Sequence, residues 1–160
     1  MPKLLRAIQM DKCIACGSCM MTCARTRYQS ISLDRSAIRI RTAGGFRGNP
    51  VADVCLGCIE PPCAEVCPSG ALRKRKGGGV LVNRERCIGC NQCTGACSVR
   101  GIRYDDSLGY PVVCVHCGNC AKFCPHGCLE LVEVSDERTF DAYDADLNDA
   151  EIEEVGNGHA

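Results

Sequence analysis

Apolar residues occur in this 160-residue chain as short runs between cysteine-rich segments. The runs are too short for the apolar face of a long helix, and they predict short strands at residues 4–10, 37–41, 80–82, 101–104 and 129–134. The second half of each cysteine-rich segment predicts one short helix, at residues 18–27, 62–66, 92–96 and 119–123. The pattern therefore predicts a chain of small elements with no dominant core helix.

Two connecting segments have a predicted shape of their own. Residues 72–76 and 80–83 flank Gly77-Gly78-Gly79 and predict a hairpin with a flexible turn. Residues 24–54 form the longest insertion, and we predict a hairpin followed by a loop rich in glycine (Gly44, Gly45 and Gly48). Since the triple glycine lacks the strand–GxGxxG–helix context, it does not indicate a dinucleotide site.

Composition explains how such small elements could hold together. The chain has 17 cysteines but only three Phe, four Tyr and no Trp. Aromatic side chains normally supply much of a buried core, so this core is thin. Metal ligation can stabilise it instead, because the free energy of metal binding couples to folding.

The cysteines form an internal repeat of four motifs, with one cysteine left over. Motifs one, three and four have the spacing C-x2-C-x2-C-x3-C, and motif two has C-x2-C-x4-C-x3-C. In chain order the motifs are Cys13, Cys16, Cys19, Cys23; Cys55, Cys58, Cys63, Cys67; Cys87, Cys90, Cys93, Cys97; and Cys114, Cys117, Cys120, Cys124.

This spacing indicates 4Fe–4S clusters. A tight C-x2-C-x2-C loop presents three thiolates to three irons of one cube, and in bacterial two-cluster ferredoxins the fourth cysteine ligates the other cluster. Zinc sites prefer two separated cysteine pairs, and a disulfide scaffold requires an oxidising compartment. Iron–sulfur is favoured over both alternatives, and the motifs predict four clusters on iron held by sixteen cysteines.

The charge distribution agrees with bound clusters. Residues 1–132 carry 18 Lys and Arg against 9 Asp and Glu, whereas residues 133–160 carry ten acids and one base. An oxidised cluster with four thiolates carries a charge of about −2, so four of them nearly cancel the positive body. We therefore expect no nucleic-acid partner, since the aromatic platforms for stacking bases are also few.

No segment predicts membrane insertion. No apolar run approaches the ~18 residues of a membrane span, and residues 1–10 lack a secretory signal pattern. We expect a cytoplasmic protein. The tail, residues 133–160, is acidic and poor in apolar residues; we expect it to serve as a docking arm or as a solubilising segment.

One segment resembles a known family closely. The run Cys55-Leu-Gly-Cys58-Ile-Glu-Pro-Pro-Cys63-Ala-Glu-Val-Cys67-Pro68 is similar to the second motif of the four-cluster electron-transfer subunits of molybdenum and tungsten oxidoreductases. The hairpin and Asn83-Arg-Glu-Arg-Cys87 continue the resemblance, which covers about residues 3–132. The short chain looks most like the small iron–sulfur subunit of tungsten aldehyde oxidoreductases. It departs from the family where Ala24 and Ser98 replace the proline after the last cysteine, so those helices are expected to run on.

The resemblance implies an α+β fold of two pseudo-symmetric ferredoxin-like modules. The body is residues 1–132: module one is about 1–30 with 105–132, module two is about 50–104, and 31–49 is an insertion. Pairing is nested, motif one with four and two with three. Cluster one then takes Cys13, Cys16, Cys19, Cys124; cluster two Cys114, Cys117, Cys120, Cys23; cluster three Cys55, Cys58, Cys63, Cys97; and cluster four Cys87, Cys90, Cys93, Cys67. A sequential pairing, with motif three joined to four, is the alternative.

The resemblance also implies a function. The chain would relay single electrons between a catalytic molybdenum or tungsten subunit and a flavin subunit or soluble carrier, and would not itself be an enzyme. Alternatives are a diffusible polyferredoxin, or a subunit of a hydrogenase, formate dehydrogenase or benzoyl-coenzyme A reductase complex. Further copies of the same protein are also candidate partners.

Several residues beside the motifs have predicted roles of their own. Backbone N–H groups near four glycines are expected to approach cluster sulfurs and tune the potential; these are Gly17, Gly57, Gly89 and Gly118. Cys128 is predicted to be a small buried apolar residue rather than a spare ligand. His116 and His126 are predicted to be exposed loop residues rather than proton-coupling groups. The basic run 73–76 is interpreted as balancing cluster charge, with a partner surface as the alternative.

Overall fold

The structure, a computed structural model, describes residues 2–44 and 48–135. The described part contains short helices and short strands, which agrees with the predicted α+β class. The helices are α1 (Ser18–Tyr28), α2 (Pro62–Glu65), α3 (Gln92–Gly95) and α4 (Asn119–Lys122). The strands are β1 (Lys3–Ala7), β2 (Arg39–Thr42), β3 (Pro50–Asp53), β4 (Leu72–Lys74), β5 (Val80–Val82), β6 (Ile102–Asp105), β7 (Tyr110–Val113) and β8 (Leu129–Glu133). The predicted acidic tail lies outside the described residues beyond position 135.

Every sheet in the described residues is an antiparallel pair of strands. Three of the pairs are sequential hairpins: β2 with β3, β4 with β5, and β6 with β7. The fourth joins the two ends of the body, because β1 pairs with β8 in a register that runs from Lys3 opposite Glu133 to Ala7 opposite Leu129. Lys3 and Glu133 also form an ion pair of 3.1 Å. This pairing brings motif four next to motif one.

The fate of each helix after its last cysteine follows the local sequence. Helix α1 runs past Ala24 to Tyr28, as predicted, and ends at Gln29, whose left-handed backbone (φ 50°) caps it. Helix α2 begins at Pro62, where the missing N–H costs nothing. The predicted extension at Ser98 is wrong, since α3 ends at Gly95 before its last cysteine. The lack of a proline permits a helix to continue but does not drive it.

The strands differ from prediction mainly in the connecting segments. The glycine-rich segment was predicted to follow a hairpin; instead it joins β2 to β3, with the Ala43 N–H donating to the Asn49 carbonyl at 2.8 Å. Strand β1 ends at Ala7, and residues Met10–Lys12 form a 3-10 turn that leads into motif one. Strand β7 was not among the predicted strands, and Pro111 lies inside it. As the edge of a two-stranded sheet it tolerates that proline.

The core consists of two clusters of buried residues, both of which include cysteines. One contains Leu5, Ile38 and Val54 with cysteines of motifs one and four. The other contains Leu72, Val80 and Ile102 with cysteines of motifs two and three. The cysteines are thus part of each core, as expected for a chain poor in aromatic residues.

Candidate iron–sulfur centres

Four cavities in the described structure are each lined by four motif cysteines. Each cavity takes three cysteines from one motif and one from another. Cavity one has Cys13, Cys16, Cys19 and Cys124; cavity two has Cys114, Cys117, Cys120 and Cys23; cavity three has Cys55, Cys58, Cys63 and Cys97; cavity four has Cys87, Cys90, Cys93 and Cys67. Their empty space, open solvent included, is about 330 Å³ for cavities two and four, 340 Å³ for cavity one and 470 Å³ for cavity three.

The helices explain why each cavity draws on two motifs. The third and fourth cysteines of a motif lie four residues apart, which is about one helical turn. In α1, Cys19 therefore lines cavity one while Cys23 lines cavity two. Around α4, Cys120 and Cys124 make the reciprocal exchange. Helix α1 contacts α4, and α2 contacts α3, so each helix pair lies beside two cavities.

Each motif loop contains the same unfavourable backbone conformation. The residue just before the second cysteine has a positive φ in all four motifs: Ala15 (55°), Gly57 (69°), Gly89 (71°) and His116 (54°). This left-handed conformation costs free energy at a residue other than glycine. Ala15 and His116 nevertheless adopt it, which shows that the loop shape, and not the side chain at this position, is what the motif requires.

Backbone N–H groups point at the sulfur atoms. In two motif loops, the N–H groups of Gly57 and His116 each lie 3.4 Å from the Sγ of the first cysteine, Cys55 and Cys114 respectively. The N–H of Gly57 thus reaches a cysteine sulfur, and in motif four the observed donor is His116. The tuning of cluster potentials near Gly17, Gly57, Gly89 and Gly118 stays a prediction. Such bonds stabilise the thiolate form of a ligand.

The fourth cysteines also accept backbone hydrogen bonds. Gly101 donates to Cys97 at 3.3 Å, and Cys128 donates to Cys124 at 3.4 Å, in both cases from four residues further along. In motif one, helix α1 continues past Cys23, so the N–H four residues further along lies within the helix. There the backbone N–H of Ala37, in the insertion, donates to Cys23 Sγ at 3.3 Å. No sequence signal indicates this role of the insertion.

The pKa values of the third cysteines reflect burial and the charges of the motif cysteines that surround each of them. Burial, followed by the charges of Cys124, Cys13 and Cys16, raises the pKa of Cys19 to about 11. Burial, followed by Cys55, Cys97 and Cys58, raises the pKa of Cys63 to about 12. Burial and the charges of Cys67, Cys87 and Cys90 likewise raise the pKa of Cys93. Burial and the neighbouring thiolates thus oppose ionisation of these third cysteines.

This donor set fits iron–sulfur clusters. Metal binding releases the thiol protons, and the positive charge of iron would offset both the burial and the mutual repulsion that raise these pKa values. All seventeen cysteines lie in the described residues, and none of them forms a disulfide. Cysteine thiolates are the ligands that 4Fe–4S clusters use.

Cys128 lines cavity one beside its four motif cysteines. It is 2% exposed, which agrees with the predicted buried residue. Burial and a hydrogen bond with Cys124 raise its pKa to about 12. Cavity one is therefore lined by five cysteines, of which Cys128 alone lies outside the motif spacing.

The two histidines beside the motifs have different environments. His126 is exposed, as predicted. His116 is not: it is only 4% exposed, so that prediction is wrong. The backbone N–H of Leu5 donates to its Nδ1 at 3.1 Å. Sequence reasoning missed this contact because the partner is 111 residues away.

Among the described residues, no helix is long and apolar enough to cross a membrane.

Comparison with known proteins identifies the family. Two models described as a 4Fe-4S dicluster domain match the chain, one over residues 48–134 and the other over residues 12–71. Together they cover all four motifs.

Three relatives illustrate the range of proteins that contain this unit. The aliphatic sulfonate oxidoreductase polyferredoxin-like subunit of Pyrococcus furiosus is 35% identical over 132 residues, 78% of this chain and 75% of the relative. A component of the anaerobic dimethyl sulfoxide reductase of Haemophilus influenzae is 29% identical over 81% of this chain and 73% of its own length. The NADH-dependent phenylglyoxylate dehydrogenase subunit beta of Aromatoleum evansii is 35% identical over 79% of this chain, which spans only 29% of that relative. With its motifs, its family matches and these relatives, the chain belongs to the 4Fe-4S dicluster ferredoxin-like family of iron–sulfur electron-transport proteins.

Proposed function

We propose that the chain is the electron-transfer subunit of an oxidoreductase complex and holds four 4Fe–4S clusters in nested pairs. The observation that carries the proposal is the set of four cavities, each lined by the four cysteines of one nested set. Such clusters, when bound, transfer single electrons between their 2+ and 1+ core states.

The protein's own residues support a definite order of the sites. The cysteines in and just after α1 and α4 line cavities one and two, and the cysteines around α2 and α3 line cavities three and four. Val113 lines both cavity two and cavity three. This supports a linear order from one to four, with cavities one and four at the ends.

Exposure supports contact with partners at those ends. Cys16 in cavity one and Cys90 in cavity four are exposed, whereas Cys114 in cavity two is buried. Next to them, the apolar side chains of Ile14 and Ile88 are 66% and 68% exposed. An exposed isoleucine beside an exposed cysteine supports a small, transient contact with a redox partner at each end. Cys117 of cavity two is also exposed, so the interior of the row of sites is not fully sealed.

The partners follow from the relatives by analogy. The Pyrococcus relative is named as a subunit of an aliphatic sulfonate oxidoreductase, and the Haemophilus relative as a component of dimethyl sulfoxide reductase. We infer a catalytic subunit of the molybdenum or tungsten type at one end and a flavin subunit or soluble carrier at the other. A tungsten aldehyde oxidoreductase is the narrower proposal, and the sequence of motif two supports the wider class of molybdenum and tungsten partners.

Purification of the tagged protein from its native source tests this proposal. We expect a large subunit that contains molybdenum or tungsten to remain bound at low and high salt, together with about sixteen irons per copy of this protein. Recovery of the protein alone at both salt concentrations, with its irons present, would contradict the subunit role and favour a diffusible polyferredoxin.

A further inference from the structure

His116 is a buried histidine at the junction between the two modules. It lies in motif four between Cys114 and Cys117, which line cavity two. The backbone N–H of Leu5, in β1, donates to its Nδ1 at 3.1 Å. Because Nδ1 accepts a hydrogen bond, the proton of the neutral ring is on Nε2.

The Nε2 side of the ring faces the loops around cavity three. A Cβ atom on either Gly57 or Gly79 would come within 3.3 Å of Nε2. Gly57 lies between Cys55 and Cys58, and the Gly79 N–H donates to the Cys58 carbonyl at 2.9 Å. The imidazole therefore lies between the ligand loop of cavity two and the ligand loop of cavity three.

Two other residues of strand β1 also contact this junction. Leu4 is fully buried, and a Cβ atom on Gly57 would come within 2.7 Å of its methyl carbons. The Arg6 guanidinium donates to the Leu56 carbonyl at 3.0 Å. Three successive residues of β1 thus contact the junction. Leu4 and Arg6 contact the motif-two loop, and Leu5 contacts His116.

We propose that His116 is a positioning residue for electron transfer between the two modules. The ring, held by Leu5 and packed on Gly57 and Gly79, fixes the separation and orientation of the motif-two and motif-four loops. Each transfer moves one electron from one site to the next, with no bond formed or broken, and its rate falls steeply with distance. This inference rests on the proposed four-cluster function.

Two substitutions at His116 and one matched control separate positioning from simple filling of space. His116→Phe keeps a ring but removes the acceptor for Leu5. His116→Asn keeps an acceptor near the position of Nδ1 and tolerates the left-handed backbone, but it is too short to pack on Gly57 and Gly79. Ile31→Phe is the control, since Ile31 is 78% exposed and lies outside the lining of the four cavities.

The full-length protein is prepared without oxygen, and iron content is measured first. Two readouts follow: the magnetic coupling between clusters in the electron paramagnetic resonance spectrum of the fully reduced protein, and the rate of intramolecular electron transfer after pulsed reduction. We expect wild-type iron content in all variants. The transfer should slow several-fold with altered coupling in His116→Phe, change to an intermediate extent in His116→Asn, and remain unchanged in Ile31→Phe.

Wild-type coupling and rate in a fully loaded His116→Phe protein would overturn the inference. If that variant loses iron, His116→Asn decides: full iron with wild-type coupling and rate overturns the inference, and a slower transfer with altered coupling supports it. A wild-type protein that lacks about sixteen irons would instead contradict the proposed function.

Discussion

Under the proposed nested ligation, modules one and two use different parts of the chain to surround their clusters. Module two draws its cysteines from one continuous stretch, and its helices α2 and α3 have four residues each. Module one joins the two ends of the body through β1 and β8, and its helix α1 has 11 residues. A contiguous module needs only local turns, whereas a module assembled from distant segments needs additional elements to close it.

The insertion is the clearest of these additional elements. In module two, Gly101 follows Cys97 by four residues and donates to its sulfur at 3.3 Å. In module one, α1 continues beyond Cys23, and Ala37 of the insertion donates at the same 3.3 Å. The hydrogen bond to the fourth cysteine is therefore retained even when the local chain can no longer supply it.

The largest expected effect comes from removing a fourth cysteine in either module. Under nested pairing, Cys23→Ala should lower the iron content and expose Cys114, Cys117 and Cys120 to alkylation. Cys97→Ala should instead expose Cys55, Cys58 and Cys63. Mass spectrometry of the alkylated peptides measures both outcomes. Exposure of motif-two thiols in Cys23→Ala would contradict nested pairing and support sequential pairing.

Truncation of the core should affect the modules separately. Leu5 is 1% exposed in the core of module one, and Val80 is 1% exposed in the core of module two. Leu5→Ala should cost about 2–5 kcal/mol, as buried Leu→Ala substitutions do. Loss of clusters one and two with clusters three and four retained is expected, with Val80→Ala as the reciprocal control. Iron release during denaturant titration measures this. Equal loss from both modules in each variant would show that they unfold as one unit.

Substitution of a glycine at the junction should destabilise the protein more than substitution of a glycine in helix α3. Gly57 has φ 69°, and a Cβ there would lie 2.7 Å from two Leu4 carbons. We expect Gly57→Ala to destabilise the protein by roughly 1–3 kcal/mol. Gly95 in α3 has open space around it, and Gly95→Ala should stabilise by about 0.4–1 kcal/mol. Denaturant midpoints at fixed cluster content give both values; a Gly57→Ala protein as stable as wild type would argue against close packing at the junction.

The smallest effect concerns the hydrogen bond from the insertion. Ala37→Pro removes the N–H that bonds Cys23, so reduction of cluster two should become harder. A net hydrogen-bond contribution of about 0.5–1.5 kcal/mol corresponds to a shift of roughly 20–65 mV in a one-electron reduction potential. Ala37→Gly keeps the N–H and serves as the control. A redox titration followed by electron paramagnetic resonance measures the shift, and an unchanged potential in Ala37→Pro would refute this role of the insertion.

The sequence predicted features of the fold and the site that depend on neighbouring residues better than those that depend on contacts between distant segments. Motif spacing predicted the four helices within a few residues, because ligand spacing and prolines are local signals. Residues such as Pro68 and Pro125 follow helices that end as expected. The motif resemblance also implied the four nested sets of cysteines that the structure brings to four cavities. The sets stay a prediction until clusters are located.

The failures concern contacts between distant segments. Nothing around His116 indicates that Leu5 binds it or that β1 buries it. Cys128 was predicted to be buried, but its position in cavity one depends on how motif four folds back onto motif one. The donor role of Ala37 likewise depends on the insertion returning to α1. Such contacts leave no periodic signal in either segment.

Iron-edge anomalous diffraction from anaerobic crystals tests the central claim, nested ligation of four clusters, most directly. We predict four iron sites, one in each cavity. Each site should be ligated by the first three cysteines of one motif and the last cysteine of the paired motif. Cys124 would ligate beside Cys13, and Cys97 beside Cys55. Fewer iron sites, or one site that joins Cys97 to Cys114, would contradict it.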